Sequence, residues 1–203
     1  MNRERKIESV YIASPLFNPG ELKLNEEIAA TLEASNFRTF LPQRDGILFS
    51  ECVGKIAELG ILVDGAEYSP EEAKRKTMQL IYLLDLYKSC EGCDAMVFNM
   101  NGRVPDEGAV AEAAMAYVNK KPLVIYKDDL RSLSSGQDNP LVVGATNFRI
   151  TRKIEDIPVR LRELEKQEIP DYTAMIKIAR GIFKNGLPED LVPVLKKLKK
   201  LDS

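Results

Sequence analysis

Short apolar runs alternate with amphipathic stretches through most of the chain. Three runs have the length and apolar content of buried strands: SVYIAS at 9–14, AMVFN at 95–99 and PLVIY at 122–126. A weaker run at 38–42 predicts another strand, and Ile150-Thr151 predicts a last, short one. The pattern therefore predicts five strands.

Helices are predicted between these strands. Residues 22–35 place apolar side chains at helical spacing, and residues 108–119 are rich in alanine. Ser69 is a strong helix start because Pro70 and two acidic residues follow it, and this helix is expected to extend to Cys90. After Pro158 the pattern predicts three more helices, with breaks near Pro170 and at 186–188.

Other segments carry turn and loop signals. Residues 43–46 predict a turn, and residues 130–148 a long loop rich in Ser, Gly, Asn and Pro. Between them, residues 49–68 predict two helical fragments interrupted at Gly54 and Gly60, interpreted as an insertion near the active site.

Strands that alternate with helices over short connections predict the fold class. The expected fold is α/β, a doubly wound, parallel five-stranded sheet of the flavodoxin-like or Rossmann-like type. In such sheets ligands bind beyond the carboxyl ends of the strands. We predict one such domain over residues 1–160, and a helical extension over 161–203 that packs on the core or on a neighbouring subunit.

The composition of the chain limits the classes of partner that it is expected to bind. The 203 residues include 29 basic and 31 acidic ones, a net charge of −2, so no long-range positive field attracts a nucleic-acid polymer. We find no apolar segment of secretory or membrane-spanning length, and therefore expect no membrane partner. Three cysteines cannot all pair within one chain, which fits a reducing cytoplasm.

The chain contains no histidine, which removes the commonest general base and the commonest transition-metal ligand. Catalysis must then depend on carboxylates, Lys, Tyr, Cys or a bound ion. Cys90 and Cys93 have the spacing of a zinc or redox motif, but a second such pair is missing and Cys52 supplies only a third ligand. We therefore expect free thiols, no metal and no cofactor.

The segment GRVPDEGAVAE at 102–112 is the most informative in the chain. It follows the predicted strand at 95–99 and places Glu112 within the first two turns of the next helix. Gly108 and other small residues surround Glu112 on that helix and leave space for a ligand. A carboxylate there is costly unless it is partnered or used, so two roles stay open: a salt bridge, or chemistry.

Four pieces of sequence together resemble the nucleoside 2-deoxyribosyltransferase family. They are YIASPLF at 11–17, LPQRD at 41–45, Asp85-Leu86 ahead of Asp94-Ala95, and DEG at 106–108 followed by Glu112. They occur in the family's order and span residues 11–147. A single short motif has a high false-positive risk, whereas four in order are specific.

The resemblance implies that Glu112 is the nucleophile of a retaining double displacement, in which 2-deoxyribose moves between nucleobases through a covalent glutamyl intermediate. Asp106 matches a position that contacts the substrate and is expected to hold a deoxyribose hydroxyl, or else to cap the helix. Asp85 matches the aspartate associated with the base, and as a protonated acid it could assist the base to leave.

Further residues follow from the same resemblance. Tyr11 and Phe17 match aromatic positions near the nucleophile and the base, although Tyr11 could equally be a core tyrosine. Gln43 offers a donor and an acceptor to a base edge. Asn139 and Asn147 lie in the stretch that completes the sugar pocket of an adjacent subunit, which implies a homo-oligomer with shared sites. The expected small-molecule partners are 2'-deoxynucleosides and free nucleobases.

Two other functions compete with the transferase. A related N-glycoside hydrolase of deoxynucleoside monophosphates would use the same glutamate, but it needs a phosphate cradle of N–H groups, and the loop at 14–19 contains two prolines. A non-catalytic nucleotide-binding module is the second alternative, supported by fold analogy alone.

Overall fold

The computed structural model describes residues 5–59, 68–102, 104–131, 137–169, 171–184, 186 and 190–198. The chain divides into two compact units, Met1–Ile169 and Pro170–Ser203.

The first unit is built on a sheet whose strands are all parallel. The strands are β1 (Ser9–Ala13), β2 (Arg38–Phe40), β3 (Ala95–Asn99), β4 (Leu123–Tyr126) and β5 (Ile150–Thr151). They are arranged in the order β2-β1-β3-β4-β5. The predicted doubly wound, five-stranded sheet is confirmed, and its strand order reverses between β1 and β3, where such folds bind ligands.

Helices connect the strands. In the first unit they are α1 (Pro19–Ala34), α2 (Pro42–Asp45), α3 (Phe49–Leu59), α4 (Pro70–Tyr87), α5 (Glu107–Val118), α6 (Pro140–Val143) and α7 (Asp156–Glu165). Asn18 and Ser69 form capping boxes at the starts of α1 and α4, which satisfy N–H groups that have no partner within the helix. A π-helical turn, Lys88–Gly92, follows α4.

Two apolar layers lie on opposite faces of the sheet, because successive strand residues point to opposite faces. Val10 and Ile12 of β1 belong to the layer that includes buried residues of α1 and α7. Tyr11 and Ala13 belong to the layer that includes the buried alanines of α5. The side chain of Tyr11 is therefore on the same face of the sheet as the helix that carries Glu112.

Three local predictions were wrong. Helix α3 continues through Gly54, where an added Cβ would have nothing within 4 Å, because one helical glycine costs only about 1 kcal/mol. The predicted turn at 43–46 is largely the short helix α2, and the predicted loop at 130–148 contains α6 and the 3-10 turn Gly144–Thr146. The predicted break at residue 60 lies outside the described residues.

The second unit contains α8 (Tyr172–Phe183) and α9 (Val192–Leu198). Helix α7 belongs to the first unit, where Leu161 and Leu164 are part of the core, and the boundary predicted after residue 160 lies within this helix. Within the described part of the chain, no helix combines the length and the apolar character needed to cross a membrane.

Candidate active site

A cavity of about 190 Å³ lies where β1 ends and α5 begins. Strand β1 and the loop after it supply one wall, α4 supplies Asp85, and the start of α5 supplies the floor. Its lining residues are Tyr11, Ser14, Leu16, Phe17, Pro42, Asp85, Asp106, Gly108, Ala109 and Glu112. Six of the nine predicted site residues therefore meet in one place, as the rule for parallel sheets predicts.

Glu112 is held by Tyr11. The fully buried Tyr11 hydroxyl donates a hydrogen bond of 2.6 Å to Glu112 Oε1, across 101 positions of sequence. No Lys or Arg in the described ranges forms an ion pair with Glu112, so the salt bridge that the sequence left open is not found there. Tyr11 is both a buried core residue and a residue of the cavity lining. The two roles expected for it, core tyrosine and neighbour of Glu112, are therefore compatible.

Burial raises the pKa of Glu112 to about 7. The Tyr11 hydrogen bond opposes this rise by stabilising the anion, and the negative charges of Asp85 and Asp106 add to it. Burial, together with Glu112, also raises the pKa of Tyr11 far above its ordinary value, so Tyr11 stays a donor. Near neutral pH Glu112 is therefore divided between its neutral form and a poorly solvated anion.

Asp85 is the second partly buried acid of the cavity. Burial raises its pKa, and the Tyr11 hydroxyl opposes that rise. The Tyr11 hydroxyl has a single proton, and it donates that proton to Glu112. When Glu112 and Asp85 are both ionised, the same proton cannot also form a hydrogen bond with Asp85. Because the negative charge of Asp85 raises the pKa of Glu112, the pair favours states in which one of the two acids carries a proton.

Asp106 begins helix α5. Its Oδ2 accepts a hydrogen bond of 2.7 Å from the Ala109 N–H, so the predicted capping role is correct. A contact with a sugar hydroxyl stays a prediction, and it is compatible with the cap because Asp106 also lines the cavity. A Cβ at Gly108 would lie 3.2 Å from Asp106 Oδ2, so glycine at this position keeps the carboxylate uncrowded.

Phe17 and Ser14 lie on the loop after β1. The Phe17 side chain is 80% exposed at the edge of the cavity, and its N–H donates to Glu21 Oε2. Ser14 is buried, and no sequence motif had singled it out as a site residue. Ser14 lies within the run YIASPLF at 11–17 that carries part of the family resemblance, and this position was the signal that could have indicated it.

Gln43 does not line this cavity. Its Nε2 donates to the Leu22 carbonyl at 2.9 Å, and its Oε1 accepts from Asn25 Nδ2 at 3.1 Å. Both ends of the amide thus connect α2 to α1, and reading a base edge would require these hydrogen bonds to break.

Asn139 and Asn147 also lie away from the cavity within one chain. Asn139 Oδ1 accepts from the Leu141 N–H and so caps α6. Asn147 ends the following 3-10 turn with a left-handed φ of 51°. Their contribution to a neighbouring subunit stays a prediction.

A larger cavity, about 510 Å³, is lined by other residues of the loop after β1 and by residues that follow β3 and β4. Its acids have partners: Asp128 accepts from Asn101 Nδ2 at 2.6 Å, and Asp129 from Arg131 Nε at 2.9 Å. Arg131 lowers the pKa of Asp129. Acids that are stabilised as anions are poor candidates for acid–base chemistry, so the smaller cavity is the candidate active site.

No group of three metal-ligating residues occurs among the residues that the structure describes. Cys52, Cys90 and Cys93 are free thiols. Burial raises the pKa of Cys93 and so disfavours the reactive thiolate.

Comparison with solved structures finds the same fold. A conserved protein from Enterococcus faecalis V583 is 18% identical with a TM-score of 0.56, over 78% of this chain and 99% of that one. A 2-deoxyribosyltransferase from Bacillus psychrosaccharolyticus is 15% identical with a TM-score of 0.49, over 74% of this chain and 90% of that one. No curated protein sequence matches the chain.

A family model described as nucleoside 2-deoxyribosyltransferase matches residues 10–177, which is most of the chain. The match includes strands β2 to β5, β1 from Val10 onward, and every lining residue of the smaller cavity. The chain therefore belongs to the nucleoside 2-deoxyribosyltransferase family, a family of transferases.

Proposed function

We propose that the protein transfers 2-deoxyribose between nucleobases by a retaining double displacement, with Glu112 as the nucleophile. One observation carries the proposal: a partly buried glutamate accepts a hydrogen bond from Tyr11 in a cavity that two further carboxyl groups, Asp85 and Asp106, also line. This arrangement suits a reaction that develops positive charge on the sugar and needs a proton for the leaving base.

In the first half-reaction the bond between C1' and the base nitrogen breaks, and its electron pair stays with the base. Asp85 transfers its proton to that base. An oxygen of the ionised Glu112 stabilises the oxocarbenium-like sugar and then bonds to C1'. The products are a glutamyl ester of deoxyribose, a neutral base and an ionised Asp85.

In the second half-reaction another base attacks C1' with a nitrogen lone pair and displaces the Glu112 carboxylate. The proton of that nitrogen returns to Asp85, so both acids recover their initial states. Each displacement inverts C1', and two inversions retain its configuration.

The other residues of the cavity position the substrate. Asp106 accepts a hydrogen bond from a deoxyribose hydroxyl while its other oxygen caps α5. Phe17, exposed at the edge of the cavity, offers an aromatic face to the base. Gly108 leaves room for the sugar beside the nucleophile.

The proposed enzyme is a homo-oligomer in which the segment around Asn139–Asn147 completes a neighbouring site. The exposed side chains of Leu141 and Phe148 support an interface there, because contact with a second subunit would bury them. An inactive Glu112→Ala chain mixed with an inactive Asn147→Ala chain should regain part of the activity as hybrid oligomers. A fully active monomer in light scattering at assay concentration would refute shared sites.

The direct test of the function is incubation with deoxyinosine and free adenine, followed by chromatography. Formation of deoxyadenosine is the expected result. Release of hypoxanthine with free deoxyribose and no deoxyadenosine would identify a hydrolase instead. No change in either compound would favour a binding module.

A further inference from the structure

Ser14 has a buried hydroxyl with no hydrogen-bond partner. Its side chain is 7% exposed, and Ser14 Oγ is one of two buried side-chain nitrogen or oxygen atoms without a partner among the described residues. The other, Arg5 Nη1, is not in the lining of either cavity. Buried polar groups are almost always hydrogen-bonded, so an unpartnered hydroxyl in an active-site wall indicates a partner that arrives with the ligand.

The cavity has many acceptors and few donors. Its polar side chains are Tyr11, Ser14, Asp85, Asp106 and Glu112. Carboxylates only accept hydrogen bonds when ionised, and Tyr11 already donates to Glu112. Among the residues that the structure describes, Ser14 is therefore the one alcohol or phenol of this lining whose proton has no acceptor, and Asp85 can act as a second donor only while it is protonated.

The chemistry of a 2'-deoxynucleoside complements this distribution. Its sugar hydroxyls can donate to the carboxylates, whereas the ring nitrogens of a purine are acceptors and need a donor. We propose that Ser14 Oγ donates a hydrogen bond to a ring nitrogen of the bound nucleobase, and so helps to determine which bases the enzyme accepts. This inference rests on the proposed function, because it takes a nucleoside as the ligand.

The proposal predicts opposite effects on stability and on binding. Ser14→Ala removes a hydroxyl that has no partner in the free protein, so the Tm of the free protein should stay the same or rise. The matched control is Ser89→Ala: Ser89 is also buried, but its hydroxyl donates to the Leu86 carbonyl and does not line the cavity. That variant should lower the Tm by about 2–4 °C and leave nucleoside affinity unchanged.

Binding is measured by calorimetry in a Glu112→Gln background, where no turnover occurs. Adding Ser14→Ala should weaken the binding of 2'-deoxyadenosine by about three- to tenfold. The 1-deaza, 3-deaza and 7-deaza analogues each lack one ring acceptor. For one of the three the effect of Ser14→Ala should vanish, because the hydrogen bond is then already missing.

Three results would overturn the proposal: a Tm loss in Ser14→Ala equal to that in Ser89→Ala, an unchanged affinity for 2'-deoxyadenosine, or an undiminished loss with all three analogues. Since binding is measured without turnover, this test is independent of the transfer assay. A protein that binds as described but transfers no deoxyribose would disprove the proposed function and leave the role of Ser14 intact. Transfer without any effect of Ser14→Ala on binding would do the reverse.

Discussion

Two cavities include residues of the loop that follows β1 in their linings, and acids of the two have pKa values shifted in opposite directions. In the smaller one, burial raises the pKa of Glu112 and of Asp85. In the larger one, the Arg131 guanidinium and the Gly102 N–H stabilise ionised Asp129 and lower its pKa. Both cavities lie at the carboxyl edge of the same sheet.

The comparison shows that position at this edge does not by itself make an acid catalytic. What differs is the partner: the Arg131 guanidinium and two backbone N–H groups satisfy Asp129, whereas Glu112 has one neutral donor and two acidic neighbours. A carboxylate with a cationic partner is held in its ionised form, whereas ionising a partly buried carboxylate with few partners is costly to the fold.

The largest effect should come from removing the nucleophile. Glu112→Gln should lower transfer by at least about a thousandfold, because no carboxylate is left to capture C1'. The assay is the exchange of adenine into deoxyinosine. Mass spectrometry of the wild-type enzyme with a slowly reacting 2'-fluoronucleoside should detect an adduct on the peptide that contains Glu112, and an adduct on another carboxylate would reassign the nucleophile.

Asp85→Asn should have the next largest effect, a loss of about a hundredfold, because general acid catalysis is typically worth that or more. The loss should be uneven across bases, and greatest for those that must be protonated to leave. Asp106→Asn should impair all bases alike, since the sugar is common to them. Steady-state kinetics with several bases separates the two, and interchanged profiles would reverse the assigned roles.

Ionisation of Glu112 should also lower the free energy of unfolding, so that the protein is less stable above neutral pH. Its folded-state pKa of about 7 exceeds the ordinary value of 4.5, so stability falls as pH rises from about 4.5 to 7 and stays lower above that range. Glu112→Gln cannot ionise, so at pH 8 it should be more stable than the wild type by up to about 3 kcal/mol. Denaturant unfolding at pH 5 and pH 8 measures this. Equal differences at the two pH values would contradict it.

Tyr11→Phe should shift the pH dependence of activity. The Tyr11 hydrogen bond lowers the pKa of Glu112, so its loss should raise that pKa above 7. The acid limb of kcat/KM should move upward by about one pH unit, because the ionised nucleophile then forms only at higher pH. An unmoved limb would mean that Tyr11 does not control the ionisation of Glu112.

The smallest effect is expected in the larger cavity. Asp129→Asn should leave transfer and its pH dependence unchanged, and it should lower stability by less than about 1 kcal/mol, because the Arg131 side chain that it pairs with is exposed. A large loss of activity in Asp129→Asn would contradict the distinction between the smaller cavity as the candidate active site and the larger cavity as a non-catalytic one.

Local sequence was sufficient for much of the fold. The apolar runs of β1, β3 and β4 are long enough to be recognised singly, and the proline and serine at the start of α4 mark its first turn. The same holds for the start of α5, where Asp106 caps the helix and small residues surround Glu112. Each of these features depends on residues that are close together in the sequence, within one or two helical turns. Such short-range preferences can be recognised from the sequence alone.

Other features were decided by tertiary structure. The family resemblance implied that the Gln43 amide is available to read a base edge. In the structure, both ends of that amide form hydrogen bonds that connect α2 to α1. Helix α3 continues through Gly54 although a glycine usually signals a break. A single side-chain hydrogen bond and a single helical glycine each change the stability by only about 1 kcal/mol. A few long-range contacts are therefore enough to override either one.

The sequence by itself determined the class of fold, the family and the identity of the acidic residues. Only the tertiary structure decided that Tyr11 donates to Glu112, that Asp129 is neutralised by Arg131, and that Ser14 is buried without a partner. The physical reason is that the strength of an acid depends on burial and on neighbouring charges. The order of parallel strands brings those neighbours together from distant parts of the chain.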